Sequence, residues 1–388
     1  MKTINPIIIV CFLCAFSCNE NYFPTIDIQK NETIGKTKEP CSIVYANGKT
    51  KSKLFANIKS RGGFSVKFSK KSFAVELEKK YSLNNLPKDD DWILNANYID
   101  KTFMRHKISY DIFKEMKTKN EASNSSYVNL SVNGLYAGLY VVMEEINASK
   151  LGLNKNDTMS MVFKDPPVFR KKKLSGDEVH EKLNYYQQKY PNIDVCDKSY
   201  YMLEFERFLF KSKDKEFLNE VSNWVDIENV IDWHILLLLS NNSDGILKNF
   251  YLYKKDKDTP FRFAIWDYDH SFGRDGDNEY NLMDRELDCS RSILLDRLCS
   301  IDKSNYLMKV KQRWFELREL NIISKKNFQK HINDNNKIIR NEVKRNFNKW
   351  PTNGEWYYDD NSYEQELDLM KKFISIRIKQ LDNYFNSL

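Results

Sequence analysis

The sequence predicts an α+β fold, and three observations predict it. Strict two-residue alternation marks strands in the first 150 residues, as in "SFAVELE" and "YVNLSVNGLYAGLYVV". The run Val230 to Leu239 is apolar nearly all round, which marks a buried helix. From about Arg291 to Leu388, apolar residues recur every three to four positions, which marks further helices.

In chain order, residues 41–77 read as strands. In "SFAVELE", Phe73, Val75 and Leu77 share one face and Ser72, Glu76 and Glu78 the other. By that parity Lys71 falls on the apolar face and Lys70 on the Glu face. A lysine on an apolar face calls for an anionic partner. Next, Phe103, Ile108, Ile112 and Phe113 give a helical face, with Asp100 as its expected N-cap. Val128, Leu130 and Val132 alternate into Asn133-Gly134, a hairpin turn, and the chain returns through Tyr140 to Met143. Residues 154–191 are polar and Lys-rich and read as an irregular insertion with some helix. After the buried helix, Asn249 to Lys254 and Phe261 to Asp267 read as a second hairpin. A loop centred near Asp258 would set Asn249 opposite Asp267.

The chain has 388 residues, with 41% hydrophobic and 14% aromatic content, enough for a sizeable core. The formal charge is +7, from 61 Lys+Arg against 54 Asp+Glu. These charges are dispersed and no RNA-binding motif or zinc finger accompanies them, which argues against a nucleic-acid partner.

The N-terminus carries an early lysine, an apolar run from Ile7 to Phe16, then Ala15-Phe16-Ser17-Cys18. The run is too short to span a bilayer and suits an export signal. Its end is patterned like a lipoprotein cleavage box, so residues 1–18 are expected to be a leader with lipid anchoring to a membrane at Cys18. Residues 19–40 are expected to be a tether, and 41–388 one domain divided near residue 150. The remaining cysteines, Cys41, Cys196, Cys289 and Cys299, are widely spaced, which disfavours zinc. Cys289 and Cys299 are the nearest pair, and the spacing leaves open whether they bond.

The chemistry-bearing residues converge in "FRFAIWDYDHSFG". Asp267 and Asp269 share strand parity where an apolar strand stops, and Asp244 lies five residues before Asn249. An Asp, then an Asn, then a hairpin and another Asp follow the logic of a protein kinase's lower lobe. One acid would orient or deprotonate a hydroxyl, while Asn and the second Asp would offer hard oxygens to magnesium. The His-Arg-Asp triplet and a full G-x-G-x-x-G loop are absent.

"RGGFS", "KKSFAVEL", "DWILNANYIDKTFMRHKISYDIF", "VNGLYAGLYVVMEEI", "IWDYDHSFG" and "RWFELREL" together resemble the CotH family, the spore coat protein H type of atypical secreted protein kinase. The resemblance runs from about residue 40 into the C-terminal helices. It implies an atypical kinase-like two-lobed fold, β-rich from about 41 to 150 and helical from about 151 to 388. It implies Asp244 as the catalytic Asp, Asn249 and Asp267 as metal ligands, and Asp269 in support. Lys71 and Arg61 would lie at the phosphates, Glu144 at the hinge beside adenine, and Asp100 and Arg105 would anchor a helix. The implied cofactors are ATP and Mg²⁺ or Mn²⁺, and the implied acceptors are Ser/Thr residues of secreted or surface proteins. The sequence leaves open a non-catalytic adhesin or scaffold on the same fold, and transfer to a non-protein acceptor. The oligomeric state is also open.

Overall fold

The computed structural model describes residues 22–117, 119–171, 183–274, 282–301, 303–351 and 360–388. The leader, with Cys18, lies outside these residues. Among them, seven strands close a barrel: β1 (Thr25–Gln29), β2 (Glu39–Asn47), β3 (Thr50–Arg61), β4 (Ser72–Tyr81), β5 (Asp89–Asn95), β7 (Ser125–Val132) and β8 (Leu135–Glu144). Closure comes from β1, which pairs antiparallel with β2 and parallel with β7. The expected tether is thus partly structural. Ile26 and Ile28 alternate with less buried polar residues and enter the barrel core, a two-residue signal too short to stand out in a polar stretch.

The alternation in β4 holds. Phe73, Val75 and Leu77 fill the barrel interior with Trp92, Leu94, Val128, Leu130 and Val142. The Asn133-Gly134 turn also holds. Val132 pairs with Leu135, and both turn residues have positive φ (51° and 76°), as a two-residue hairpin requires. The barrel's outer face is not solvated all round. Ala74, Ile93, Tyr127, Leu139, Val141 and Met143 belong to the larger core of the helical part.

That part surrounds a second sheet, in the order β10 (Gln188–Tyr190), β9 (Met161–Lys164), β11 (Phe250–Lys254), β12 (Arg262–Ile265), β6 (Glu121–Ala122). The segment expected to be irregular therefore supplies β9 and β10; Met161, Val162 and Phe163 of β9 are fully buried. Around the sheet lie α1 (Arg105–Met116), α2 (Ser199–Lys211), α3 (Asp214–Trp224), α4 (Ile227–Ser240), α5 (Ile293–Ser300), α6 (Lys303–Glu319), α7 (Lys325–Lys349) and α8 (Tyr363–Ser387). Helix α4 is the buried helix expected from its composition, with Trp233, Ile235, Leu236, Leu237 and Leu239 at 0% exposure.

Two details differ from expectation. Helix α1 begins at Arg105, yet Asp100 still serves its first turn, because the carboxylate accepts from the Arg105 N–H (2.9 Å). In the β11–β12 hairpin Phe250 pairs with Ile265, so the register runs one residue from the symmetric expectation, and Trp266 N–H donates to the Asn249 carbonyl. The loop is centred between Lys257 and Asp258 rather than on Asp258. None of the four described cysteines is in a disulfide, so Cys289 and Cys299 are not joined. No described helix is long and apolar enough to cross a membrane.

Candidate active site

Strand β12 ends at Ile265, and the chain turns abruptly there. Asn249 and Asp267 both adopt left-handed backbone, φ 65° and 59°, uncommon for residues other than glycine. The turn lets the Asn249 side-chain amide donate to the Asp267 carbonyl (2.8 Å), while Asp267 N–H donates to the Tyr110 hydroxyl (3.0 Å). Asn249 and Asp267 thus meet despite the shifted register, through side chain and main chain rather than as a ladder pair.

A cavity of about 730 Å³ opens between the barrel and the helices, and Asp244, Asn249, Asp267 and Asp269 all line it. Asp244 starts a short 3₁₀ turn after α4, half exposed, its carboxylate 2.9 Å from Lys248. Asp165, just after β9, lines the same wall and accepts from the Phe250 N–H (3.2 Å). Burial pushes the Asp165 carboxyl up, partly offset by Lys164.

His106 on α1 approaches Asp267, with Nε2 3.2 Å from Oδ1. The imidazole is 2% exposed, and its Nδ1 has no hydrogen-bond partner among the described residues. Desolvation alone would lower its pKa, but the Asp267 hydrogen bond and the charges of Asp269 and Asp267 raise it. For Asp267 the desolvation that would raise its pKa is outweighed by His106, Lys164 and Arg61, which hold the carboxyl well below the usual range. Asp269 moves the other way, raised by burial and by the charge of Asp267. The two acids therefore differ in environment. Ligand atoms of His106, Asp267 and Asp269 lie within 4.8 Å of one another, a spacing a divalent cation could bridge. Carboxylate oxygens suit magnesium or manganese, and an imidazole nitrogen favours a transition ion.

A second cavity, about 490 Å³, adjoins the first, and Asp267 lines both. Its wall is cationic, with Lys36, Lys59, Arg61 and Lys164 around Gly62-Gly63. The Trp266 ring seats two of these cations, Arg61 at 5.3 Å and Lys164 at 5.9 Å from its centroid. Burial lowers the Lys164 pKa, with the Arg61 charge adding to it against Asp165 and Asp267.

The lysine assignment reverses. Lys70, expected on a solvated face, is 2% exposed and lines the first cavity, its ammonium bonded to the carbonyls of Ala96 (2.7 Å) and Leu139 and lying over the rings of Tyr140 and Phe103. Burial drives its pKa well below that of a free lysine. Lys71 instead ties down the preceding turn through the carbonyls of Val66 (2.6 Å) and Phe68 (2.5 Å), and it lines neither cavity. The reason is geometric. Lys70 shares parity with Ser72 and Ala74, on the barrel's outer face, and at this end of β4 that face looks into the cleft.

Glu144 is displaced in the same way. It is 2% exposed, accepts from Asn124 N–H (2.9 Å) and pairs with Lys150 (3.3 Å), outside both cavity walls. Its neighbour Glu145 lines the cationic cavity. A one-residue offset along a strand exchanges faces. Asp100 and Arg105 are buried anchors: Arg105 bonds Asp100 (2.6 Å), Glu366 of α8 (2.9 Å) and the Ser271 carbonyl (2.9 Å). His106, Asp165 and Lys164 carried no sequence signal of their own, since each sits in an element whose facing is set by the tertiary structure.

The family model described as CotH kinase protein matches residues 58–381. The Inner spore coat protein H of Bacillus subtilis (strain 168) is 26% identical over 226 residues, covering 58% of this chain and 60% of that protein, so the chain aligns with less than two thirds of the relative. A crystal structure of the Golgi casein kinase with Mn/ADP bound aligns over 92% of this chain and 74% of that chain, at 10% identity and a TM-score of 0.30. A second structure of the Golgi casein kinase aligns over 93% and 73%, with the same identity and TM-score. Matched across most of its length by the family model, this chain belongs to the CotH kinase protein family.

Proposed function

We propose that this chain is an exported, metal-dependent kinase that transfers the γ-phosphoryl group of ATP to Ser or Thr hydroxyls of secreted or surface proteins. The observation that carries this is the junction at Asp267. A cationic cavity with Arg61 and Lys164 meets a carboxylate-lined cavity holding Asp244, Asn249 and Asp269. Triphosphate belongs in the cationic cavity and the acceptor hydroxyl in the carboxylate-lined one. The donor set of Asp267, Asp269 and Asn249, with His106 alongside, fits Mg²⁺ or Mn²⁺, which when bound would neutralise charge on the phosphates. Asp244 is half exposed and lines the cavity, so it can orient the acceptor hydroxyl and take its proton. The hydroxyl oxygen bonds to the γ-phosphorus, the bond to the β–γ bridging oxygen breaks, and ADP leaves. Such transfer depends mainly on positioned charge. Arg61 and Lys164, held on Trp266, supply that charge, and Asn249 fixes the Asp267 main chain. Export and lipid attachment at Cys18 belong to the same proposal and rest on the leader's pattern.

The test incubates the protein without its leader with labelled ATP and Mg²⁺ or Mn²⁺, beside Asp244→Ala and Asp267→Ala. Both variants should lose transfer by about 10²-fold or more, the scale of a lost proton acceptor or charge stabiliser. Asp267→Ala should also weaken nucleotide binding in the presence of metal, and Asp244→Ala should not. If wild type neither binds nucleotide nor transfers phosphate, the scaffold reading replaces this one.

A further inference from the structure

Ser65 stands where the two cavities meet. Among the described residues, Gly63, Ser65, Ser72, Asn95 and Asp267 line both the carboxylate-lined and the cationic cavity, and two of them carry hydroxyls. The Ser72 hydroxyl is spent on structure, accepting from the Ala96 N–H (3.0 Å) and donating to Asn95 Oδ1 (3.2 Å). Ser65 is exposed, and its hydroxyl makes no hydrogen bond among the described residues. Ser60, on the preceding strand, lines the cationic cavity alone.

The backbone around Ser65 is held. It belongs to the short 3₁₀ turn Phe64–Lys67, and the Phe68 N–H donates to its carbonyl (3.2 Å). The Lys71 ammonium donates to the next carbonyls along, those of Val66 (2.6 Å) and Phe68 (2.5 Å). On the other side Gly62, with φ 122°, makes room for the side chain, since a Cβ there would stand 2.1 Å from the Ser65 hydroxyl. A fixed turn therefore presents an accessible hydroxyl at the junction that Asp267 also lines. A hydroxyl held beside a reacting group has an effective concentration far above that of a dissolved substrate.

We propose that Ser65 is a self-modification site: the chain transfers the γ-phosphoryl group of ATP to its own Ser65, and the phosphoserine then closes the cationic cavity to further nucleotide. This rests on the phosphoryl-transfer reading above. A triphosphate in the cationic cavity brings its γ-phosphorus to the Asp267 junction, which Ser65 shares. The Ser65 oxygen bonds to that phosphorus, the bond to the β–γ bridging oxygen breaks, and ADP leaves. The hydroxyl proton passes to the Asp244 carboxylate, which lines the same cavity as Ser65. The product carries roughly two negative charges and three acceptor oxygens. Lys36, Lys59, Arg61 and Lys164 supply its counter-charges across the cationic cavity. Phosphoserine and triphosphate compete for the same cations, so the modification shuts off the molecule that makes it.

The experiment incubates the protein without its leader with ATP and Mg²⁺, beside Ser65→Ala and Asp267→Ala, and locates phosphate by fragmentation mass spectrometry. Parallel samples contain a mixed Ser/Thr peptide library and report transfer to external acceptors. Calorimetry gives ATP affinity before and after the incubation, once free nucleotide is removed. Wild type should gain phosphate at Ser65, at a fractional rate that stays constant across a dilution series, because donor and acceptor sit in one molecule. Asp267→Ala should gain none. Modified wild type should lose ATP affinity and peptide transfer by about tenfold or more, while Ser65→Ala treated alike stays within about twofold of its untreated level. No phosphate at Ser65 overturns the inference; the kinase reading stands if the peptides are phosphorylated and falls with it if wild type binds no ATP and transfers nothing. A fractional rate that climbs with protein concentration overturns the inference as well. So does Ser65 phosphorylation that leaves ATP affinity unchanged.

Discussion

Replacing Arg105 by Met should destabilise the protein by about 3–5 kcal/mol, the range for breaking a buried ion pair by removing one partner. The side chain is 0% exposed and spends its donors on Asp100 at 2.6 Å, Glu366 at 2.9 Å and the Ser271 carbonyl at 2.9 Å. Methionine fills much of the volume, so the cost is electrostatic. It strands Asp100 without a cation and leaves Glu366 only Arg274, at 3.5 Å, where water cannot reach them. Asp100 keeps the Thr102 hydroxyl and the N–H groups of Thr102 and Arg105, and Glu366 keeps Asn361 (3.0 Å) and Arg274 (3.5 Å), which holds the cost short of a fully unpaired charge. Urea titration followed by far-ultraviolet circular dichroism measures the loss as a lower midpoint at unchanged slope. Adding Glu366→Gln to Arg105→Met removes one stranded charge and should recover about 1–2 kcal/mol of the loss. A single-variant loss below about 1 kcal/mol, or no recovery in the double variant, refutes the view that charge burial sets the cost. Phosphoryl transfer should fall in Arg105→Met as well, because the Ser271 carbonyl lies two residues beyond Asp269.

Lys70→Ala should cost about 2–4 kcal/mol, since it empties the space between Phe103 and Tyr140 and strands the Ala96 and Leu139 carbonyls, whereas Lys71→Ala should cost under about 1.5 kcal/mol. Equal shifts in thermal melting would contradict this. His234, buried against the Tyr306 hydroxyl at 3.2 Å, has its pKa pushed down to about 4 by burial. Its unfolded value is about 6.5, so between these the unfolded chain binds more protons and stability rises with pH, by up to about 3 kcal/mol over the window. Unfolding free energies at pH 4.5 and 7 should differ accordingly in wild type and much less in His234→Gln; parallel pH profiles would refute the assignment.

Local pattern revealed elements well and facing poorly. The alternation of Phe73, Val75 and Leu77, the Asn133-Gly134 turn and the apolar α4 were legible because each depends on neighbours along the chain. Asp244, Asn249, Asp267 and Asp269 were legible as a group, and they do line one cavity. The lysine at the cleft was misread because period-two alternation separates two faces without saying which meets solvent. On this barrel the outer face at Ala74 is itself buried. Glu144 failed by the same one-residue ambiguity against Glu145. His106 and Lys164 gain their surroundings from contacts distant in sequence, such as His106 with Asp267, 161 residues away. Strand β1 was hidden because pairing with β2 and β7, rather than its composition, makes it a strand.

The shared core along the barrel's outer face limits how the cleft can open. Ala74, Ile93, Leu139, Val141 and Met143 are barrel residues that pack continuously with the helices. Swinging the barrel away as a rigid jaw would wet all of that apolar surface at once, at roughly 25 cal/mol for each Å² exposed. The short turn between β3 and β4 borders both cavities, and Lys71 fastens it through the Val66 and Phe68 carbonyls, so that rim is braced as well. The molecule is better described as a fixed vice than as two halves on a hinge.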